Sequence, residues 1–402
     1  MKQNGIHKET AILGGGMAGL QAALSIATHL SGTGQRVRIF EPRSAYSDDR
    51  TFCYWNVAPI DGDSIAQHRW SKWRVQAGGK SVVAESKRYT YNCVPGEAFY
   101  RRALEKLSVT PNVELLAGTT VSRVQASPRG RGLRITTNRQ TTDVDVVYDT
   151  RPSPELVSKS AILQHFVGWH IAADRPVFDE DTVTLMDFDV SQEHGLHFMY
   201  VLPFSKTEAL IESTFFSPAV HEASIYEGFI QAYLKERYGL GAGQIGDFQL
   251  VRKEGGVVPM TTSELASTTV AGWYRLGTVG GFVRPATGYS FHQTCRWIDS
   301  NSKWLARPVG TRPKIRSVGL NWLDSVLLSF LLHRPEDAPE IFLGLFERVP
   351  PDALVRFLSD VGTIGDTLRV MLSMPVMPFV KEAMRLGRIT PLQIRESASG
   401  SM

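Results

Sequence analysis

Three glycines near the N-terminus have the spacing that phosphate binding asks for. Gly14, Gly16 and Gly19 follow a short apolar strand, Ala11 to Leu13, and open directly into a helical pattern from Met17. Strand, glycines and helix in that order form the dinucleotide-binding fingerprint. The first glycine permits a tight turn, the second lets a pyrophosphate approach the backbone, and the third lets helix and strand pack closely. The helix N-terminus then offers free N–H groups and a positive dipole to the phosphates. A second strand, Arg36 to Phe40, leads to Glu41, where an acid that bonds a ribose hydroxyl is expected. Much later, Tyr274 to Ser290 returns to glycine punctuation, with Gly280, Gly281, Thr287 and Gly288 between a short strand and a helix from Phe291. This second backbone cradle is typical of folds in which a flavin lies extended between two loops.

Other residues point to proton chemistry. In the strand pattern Glu208 to Phe216, Glu212 shares a face with Leu210 and Thr214, while Ile211 and Phe215 share the other. If the second face packs into the core, Glu212 looks into a cavity, and an apolar cavity raises a carboxyl pKa and keeps it protonated. An edge-strand glutamate facing water is the competing reading. Phe52, Tyr54 and Trp55 offer π faces for a cation or serve equally well as core. Glu254 is a second candidate carboxylate, or a structural hydrogen-bonding group. His194 and His197 have an HxxH spacing but no further Cys or acidic ligand in their segment, so they read as structural, with no metal site expected. Asp48-Asp49-Arg50 reads as a solvated turn or a nicotinamide-cofactor contact.

The elements that must position these residues follow from length and periodicity. A chain of 402 residues is long enough for two or three domains, and a net charge of +4 makes no case for nucleic acid. Cys53, Cys93 and Cys295 form no CxxC pair and read as reduced, buried residues. The N-terminus lacks an apolar signal region, and no run reaches the roughly 18 apolar residues of a membrane span. A soluble or peripheral cytoplasmic protein is expected. Helical patterns cover 17–30 and 96–107, and strands 113–116, 121–124, 133–136 and 144–148. Polar and apolar residues then alternate from about 162 to 265, suggesting an antiparallel sheet interrupted by a helix at 225–238. Helices are expected at 291–304, 318–333, 338–349, 352–360 and 364–373. The fold class is α/β, α+β overall: a Rossmann-like FAD-binding domain (1–160, returning at 266–305), a substrate-binding antiparallel sheet domain (161–265) and a helical C-terminal region (306–402).

Several segments together resemble the bacterial lycopene cyclases, a branch of the flavoprotein monooxygenase-like superfamily. Phe198-Met-Tyr-Val-Leu-Pro203 followed by Leu210-Ile-Glu-Ser-Thr214 is similar to that family's YxLP…LIE[DE]T segment. Pro285-Ala-Thr-Gly-Tyr-Ser290 resembles its P[TA]TGYS loop, and Glu254-Gly-Gly-Val-Val-Pro259 its ExGxLP stretch. Phe346 to Met377 resembles its closing helices. The chain departs at Ser213, where the family has a second acid, and at Pro152, where Asp149-Thr-Arg-Pro replaces an Asp-x-Arg-Gly turn and loses a backbone donor.

The resemblance implies a non-redox isomerisation in carotenoid biosynthesis. An acid protonates the terminal double bond of lycopene or a related acyclic carotene, the neighbouring alkene attacks the tertiary cation, and proton loss leaves a β-ionone ring. Reduced FAD as an electrostatic partner, and NAD(P)H as its reductant, are implied with it. Glu212 would be the acid, Glu254 a second site carboxylate, and Phe52, Tyr54, Trp55 and Tyr289 the substrate pocket. The rivals are a flavin monooxygenase or prenyl reductase of the same fold, and a non-catalytic FAD- or carotenoid-binding protein. A bilayer-dwelling hydrocarbon also implies peripheral membrane contact. The basic run Lys303, Arg307, Arg312, Lys314 and Arg316, followed by Leu320, Trp322, Leu323, Val326, Leu327, Phe330 and Leu331, is the segment expected to make it.

Overall fold

The computed structural model describes residues 9–30, 32–241, 247–262, 270–309 and 311–388. The chain begins with β1 (Glu9–Leu13), α1 (Met17–Ala27) and β2 (Arg36–Glu41). It then inserts β3 (Thr51–Trp55), β4 (His68–Trp70), β5 (Lys72–Ala77), β6 (Lys80–Glu85) and β7 (Tyr91–Pro95) before α2 (Gly96–Ser108) and β8 (Val113–Ala117). A meander of β9 (Val121–Ala126), β10 (Leu133–Thr137) and β11 (Thr141–Val144) precedes β12 (Val146–Asp149) and α3 (Pro154–Lys159). The middle of the chain is β13 (Ile162–Ala173), β14 (Thr182–Asp187), β15 (Leu196–Pro203), β16 (Glu208–Ser217), α4 (Ala223–Tyr238) and β17 (Phe248–Met260). After β18 (Trp273–Arg275) come α5 (Phe291–Ser300), α6 (Ser302–Ala306), α7 (Val318–His333), α8 (Ala338–Arg348), α9 (Pro351–Leu358), α10 (Ile364–Ser373) and α11 (Val376–Arg388).

Two sheets organise the molecule. The nucleotide-binding sheet is parallel, in the order β18-β12-β1-β2-β8. Its strands read as apolar runs because α1, α2 and α5 cover one side and the β9–β11 meander the other. At the β1–α1 turn, Gly14 has φ +97°, and a Cβ on Gly19 would stand 2.0 Å from the Gly14 carbonyl oxygen. The helix therefore sits on the strand only because both are glycine. The second sheet has seven strands, β17-β13-β16-β15-β14-β5-β6.

Two differences from the sequence reading matter for the site. Strands β5 and β6 come from residues 72–85, well ahead of the 161–265 segment expected to supply this sheet, and β5 runs parallel to β14. The insertion after β2 thus ties the two domains together. The expected 291–304 helix also divides at Asn301 into α5 and α6. Helix α11 was hidden from pattern reading by Pro375 and Pro378, yet a proline in a first turn costs no hydrogen bond.

The seven-stranded sheet buries both faces, each with its own core. Ala209, Ile211 and Phe215 of β16 turn toward α4, whose Ile230, Tyr233 and Leu234 cover them. Leu210 and Phe216 turn the other way, into the core shared with α7, α8 and α9. The alternation of β16 thus places Glu212 on the second face.

Candidate active site

Glu212 stands in a row that crosses four strands. Its register partners are Tyr200 on β15 and Gly168 on β13, and Gly168 in turn opposes Glu254 on β17. Directly opposed residues project to the same side of a sheet, so the order across this face is Glu254, Gly168, Glu212, Tyr200. With no side chain at Gly168, the two glutamates lean together over its backbone. A Cβ there would lie 2.9 Å from Glu212 Cγ and 3.3 Å from Glu254 Cγ. Both carboxyl side chains are buried.

Their surroundings differ sharply. Glu254 Oε2 accepts from the Thr51 hydroxyl at 2.7 Å and from the Arg252 guanidinium, which lies two residues away on the same strand face. Arg252 also donates to Thr51 Oγ1 at 2.7 Å and pairs with Asp48 at 3.0 Å. Glu212 faces the Glu254 carboxylate and apolar walls. Burial first, and then the negative charge of Glu254, push the Glu212 carboxyl well above the usual carboxylate range. Both effects favour the protonated form of Glu212.

Glu212 opens on a cavity of about 210 Å³. Aromatic rings dominate its wall: Phe52, Tyr91, Phe166, Phe198, Tyr289 and Phe291. A run of buried hydroxyls borders it, Tyr91 lying 3.0 Å from the Tyr200 oxygen and donating to Tyr289 at 3.5 Å. Burial raises all three phenols, Tyr289 to about 12, so they are neutral donors. Gln164 Oε1 and Thr214 Oγ1 are buried on this wall without a protein partner. They are the polar atoms left for a bound molecule.

Of the expected pocket residues, Phe52 and Tyr289 line the cavity and Tyr54 and Trp55 do not. Tyr54 stacks against Phe291 and His292 and donates to Asp63 at 2.6 Å. Trp55 packs on Trp73 and Tyr91. Tyr54 and Trp55 both line instead a smaller adjoining cavity of about 30 Å³, together with Cys53 and Tyr289. Cys53, between Phe52 and Tyr54, also lines the larger cavity and pairs across strands with Cys93, although 40 positions separate the two in sequence.

The expected cofactor-binding residues fall at two places. Gly14, Gly16 and Gly19 shape the β1–α1 turn, and nothing lies within 4 Å of the space a Gly16 Cβ would take. Helix α1 has no side-chain cap, so its first N–H groups stay available to an anion. Glu41 ends β2 beside this turn. Its oxygens accept from Gly15 N–H at 2.6 Å, and from Arg43 N–H at 2.9 Å and Nε at 2.8 Å. Glu41 therefore braces the loop, and a ribose hydroxyl would share an oxygen with those donors, which the lone pairs of a carboxylate permit. At the second place, Gly281 also borders open space, while Gly280 lies tight against the Arg275 carbonyl. Thr287 and Gly288 line the cavity itself, and Gly288, at φ +71°, faces Gln164 so closely that no side chain fits. The open turn, the uncapped helix and the unpartnered Gln164 fit an extended dinucleotide reaching from α1 to the cavity.

Sequence reading missed Arg252, Thr51, Tyr91, Tyr200, Gln164 and Gly168. Two signals pointed to them. A glycine inside a long strand marks a close approach, and Arg252 stands at i−2 from Glu254. Asp48 and Asp49 are not a solvated turn: Asp48 pairs with Arg252, and Asp49 holds Arg50 and the Tyr100 hydroxyl. Ser213 resolves the departure at the expected second acid. It is fully buried on the α4 face, 2.9 Å from His197 Nε2, so a carboxylate there would not reach the cavity. The turn at Pro152 is held by Arg151, which chelates Asp149 and donates to the Val121 carbonyl at 2.9 Å.

Known proteins carry the same arrangement of chain. The family described as Lycopene cyclase protein matches residues 9–384.

The chain belongs to the lycopene cyclase family.

It is 30% identical over 228 residues to a lycopene beta-cyclase of Paracoccus sp. (strain N81106 / MBIC 01143), covering 54% of this chain and 57% of that protein. To a lycopene beta-cyclase of Pantoea ananas it is 24% identical over 331 residues, covering 78% and 80%. Among solved structures, a geranylgeranyl bacteriochlorophyll reductase-like protein from Thermoplasma acidophilum superposes with a TM-score of 0.58 at 13% identity, over 94% of this chain and 99% of that one. A probable FAD-dependent monooxygenase from Pseudomonas aeruginosa gives 0.50 at 14%, over 91% and 99%. At such identities the likeness is one of fold: a Rossmann-like α/β domain joined to a second sheet.

Proposed function

We propose that this protein is a lycopene β-cyclase, closing the acyclic end groups of lycopene into β-ionone rings by acid catalysis with no net redox change. The observation that carries the reading is the pair of buried carboxyls, Glu212 and Glu254, leaning together over Gly168 with Glu212 at an aromatic cavity. Glu212 is the acid: it gives its proton to the terminal double bond of an end group lying in the cavity. The tertiary cation is drawn to the rings of Phe52, Phe198 and Tyr289 and to the negative charge that Glu212 then carries. Arg252 and Thr51 hold Glu254 as the carboxylate and so keep the proton on Glu212 before each turnover. Loss of a ring proton completes the isomerisation, one proton gained and one lost. The cavity is smaller than the roughly 300–1,000 Å³ that encloses a drug-sized ligand, so one end of a long hydrocarbon enters at a time.

FAD fits the loops at Gly14–Gly19 and Gly280–Gly288, with Glu41 bracing the first. In its reduced form it would supply an electron-rich ring, with NAD(P)H needed only to reduce it. Expression in a lycopene-accumulating bacterium, with chromatography of the pigments, tests the reading. Cyclised carotene is expected, and NADPH oxidation in the purified system should not scale with product. Unchanged lycopene from folded, FAD-loaded protein overturns the cyclase. One NADPH consumed per product would favour a reductase or monooxygenase.

A further inference from the structure

Helix α7, expected from sequence to meet a membrane, exposes Val318 and Trp322 near its N-terminus but turns its C-terminal half inward. Val326, Phe330 and Leu331 of α7 lie in the core, and Arg316, of the preceding basic run, is enclosed by Asp324 and Asp360 at 2.7 and 2.9 Å. Arg312 donates to the Arg275 and Gly280 carbonyls. More exposed apolar surface lies on α10 and α11.

On α10, Ile364, Leu368 and Leu372 recur at four-residue spacing and face outward, with Ile364 82% and Leu372 79% exposed. On α11, Met377, Val380 and Met384 do the same. A helix normally turns such a stripe inward. Here the inward faces carry acids. Asp366 is wholly buried, chelated by Arg356 at 2.9 and 2.7 Å. Glu382 is buried against α7, accepting from Ser329 at 2.6 Å, while Phe379 stacks on Phe330. These are the only two acids in the two helices. Their outer faces therefore show apolar side chains together with Lys381, Arg369 and Arg385; the last two reach back to the buried Asp366 and Glu382 at 3.2 and 3.1 Å, and no carboxylate is exposed.

We infer that α10 and α11 form a docking surface for an anionic lipid bilayer, the apolar stripes entering the acyl boundary and Arg369, Lys381 and Arg385 meeting the headgroups. Apolar side chains rimmed only by cations match that surface, and a groove for a protein partner would not need the cations. Among the described residues no helix is long and apolar enough to cross a membrane, so the contact is with one leaflet.

The test uses the full chain with extruded vesicles of phosphatidylcholine, with and without phosphatidylglycerol, and no carotenoid, so its result does not depend on the cyclase reading. Flotation should recover the protein with anionic vesicles and much less with neutral ones. The triple variant Ile364→Asp, Leu372→Asp, Met377→Asp should lose vesicle binding at least about tenfold while keeping its melting temperature, since all three side chains are already in water. Lys381→Glu should weaken binding to anionic vesicles by about tenfold and leave neutral ones unchanged. Wild-type protein that stays unbound at both compositions overturns the inference. So does a wild-type dimer in gel filtration that the triple variant converts to monomer, because the face would then join two copies of this chain.

Discussion

The two faces of the seven-stranded sheet each bury ionisable groups, and they do so in opposite ways. On the α4 face the two buried histidines are matched on both ring nitrogens. His165 meets Ser217 at 2.7 Å and Tyr226 at 2.5 Å, and His197 meets Ser213 at 2.9 Å and the Ser191 carbonyl at 3.0 Å. Burial lowers both imidazoles to about 4, so they sit neutral and sealed. On the cavity face, Glu212 is held protonated beside a carboxylate, and Gln164 and Thr214 are left without partners. A closed network gives a rigid wall, whereas an open one stores an acid and unmet hydrogen bonds for a ligand. The same period-2 alternation of β16 puts Glu212 in one and Ser213 in the other.

Substitutions that cross this division test it. Glu212→Gln keeps the shape and removes the transferable proton, so turnover should fall by about 10³-fold or more with FAD content unchanged. Stability should move the other way. Glu212 has a raised folded pKa, so the native state binds an extra proton between the ordinary glutamate value and the raised one, and wild-type stability falls as pH rises through that window. The Gln variant escapes the loss, and its advantage in melting temperature should grow with pH.

Arg252→Gln should cut turnover about tenfold while extending the alkaline limb of the pH profile by about one unit. Without its cation, Glu254 competes for the proton and the pair as a whole holds it more tightly. A decrease in activity with an unmoved pH profile would place Arg252 in packing alone. Gly168→Ala forces a methyl group between the two glutamates and should cost about 1–3 kcal/mol in denaturant unfolding, with a parallel loss of activity. Ser213→Asp restores the acid of the family pattern on the wrong face, so turnover should change by less than about threefold. Its buried carboxylate should appear instead as about 1–3 kcal/mol of lost stability. The smallest effect concerns acid. His165 and His197 have depressed pKa values, so the stability they contribute is present above the unfolded histidine value near 6.5 and is lost as pH falls toward about 4. Cavity-face variants should leave that acid limb of the unfolding profile unmoved.

Much of this arrangement was legible in the chain, because its signals are local. The Gly14–Gly19 turn follows from glycine spacing, and the face of Glu212 follows from counting along β16. The rest is non-local. Gly168, Arg252 and Tyr200 acquire their roles only through strand register, which sets Gly168 beside Glu254, 86 positions away, across β13 and β17. Tyr54 and Trp55 read as pocket residues because aromatic type says nothing of which wall a ring faces. Along α7, the local period does not tell that Val326, Phe330 and Leu331 turn inward, Phe330 stacking on Phe379 of α11, while Val318 and Trp322 stay exposed.

The central claim is that a solvent-exchangeable proton on Glu212 starts the ring closure. Cyclisation of lycopene by the purified, FAD-loaded enzyme in D₂O, read by mass spectrometry of the product, tests it most directly. The account predicts one deuterium per ring formed by the wild type, and unreacted, unlabelled lycopene from Glu212→Gln. Rings formed in D₂O without deuterium, or formed at the wild-type rate by Glu212→Gln, would contradict it.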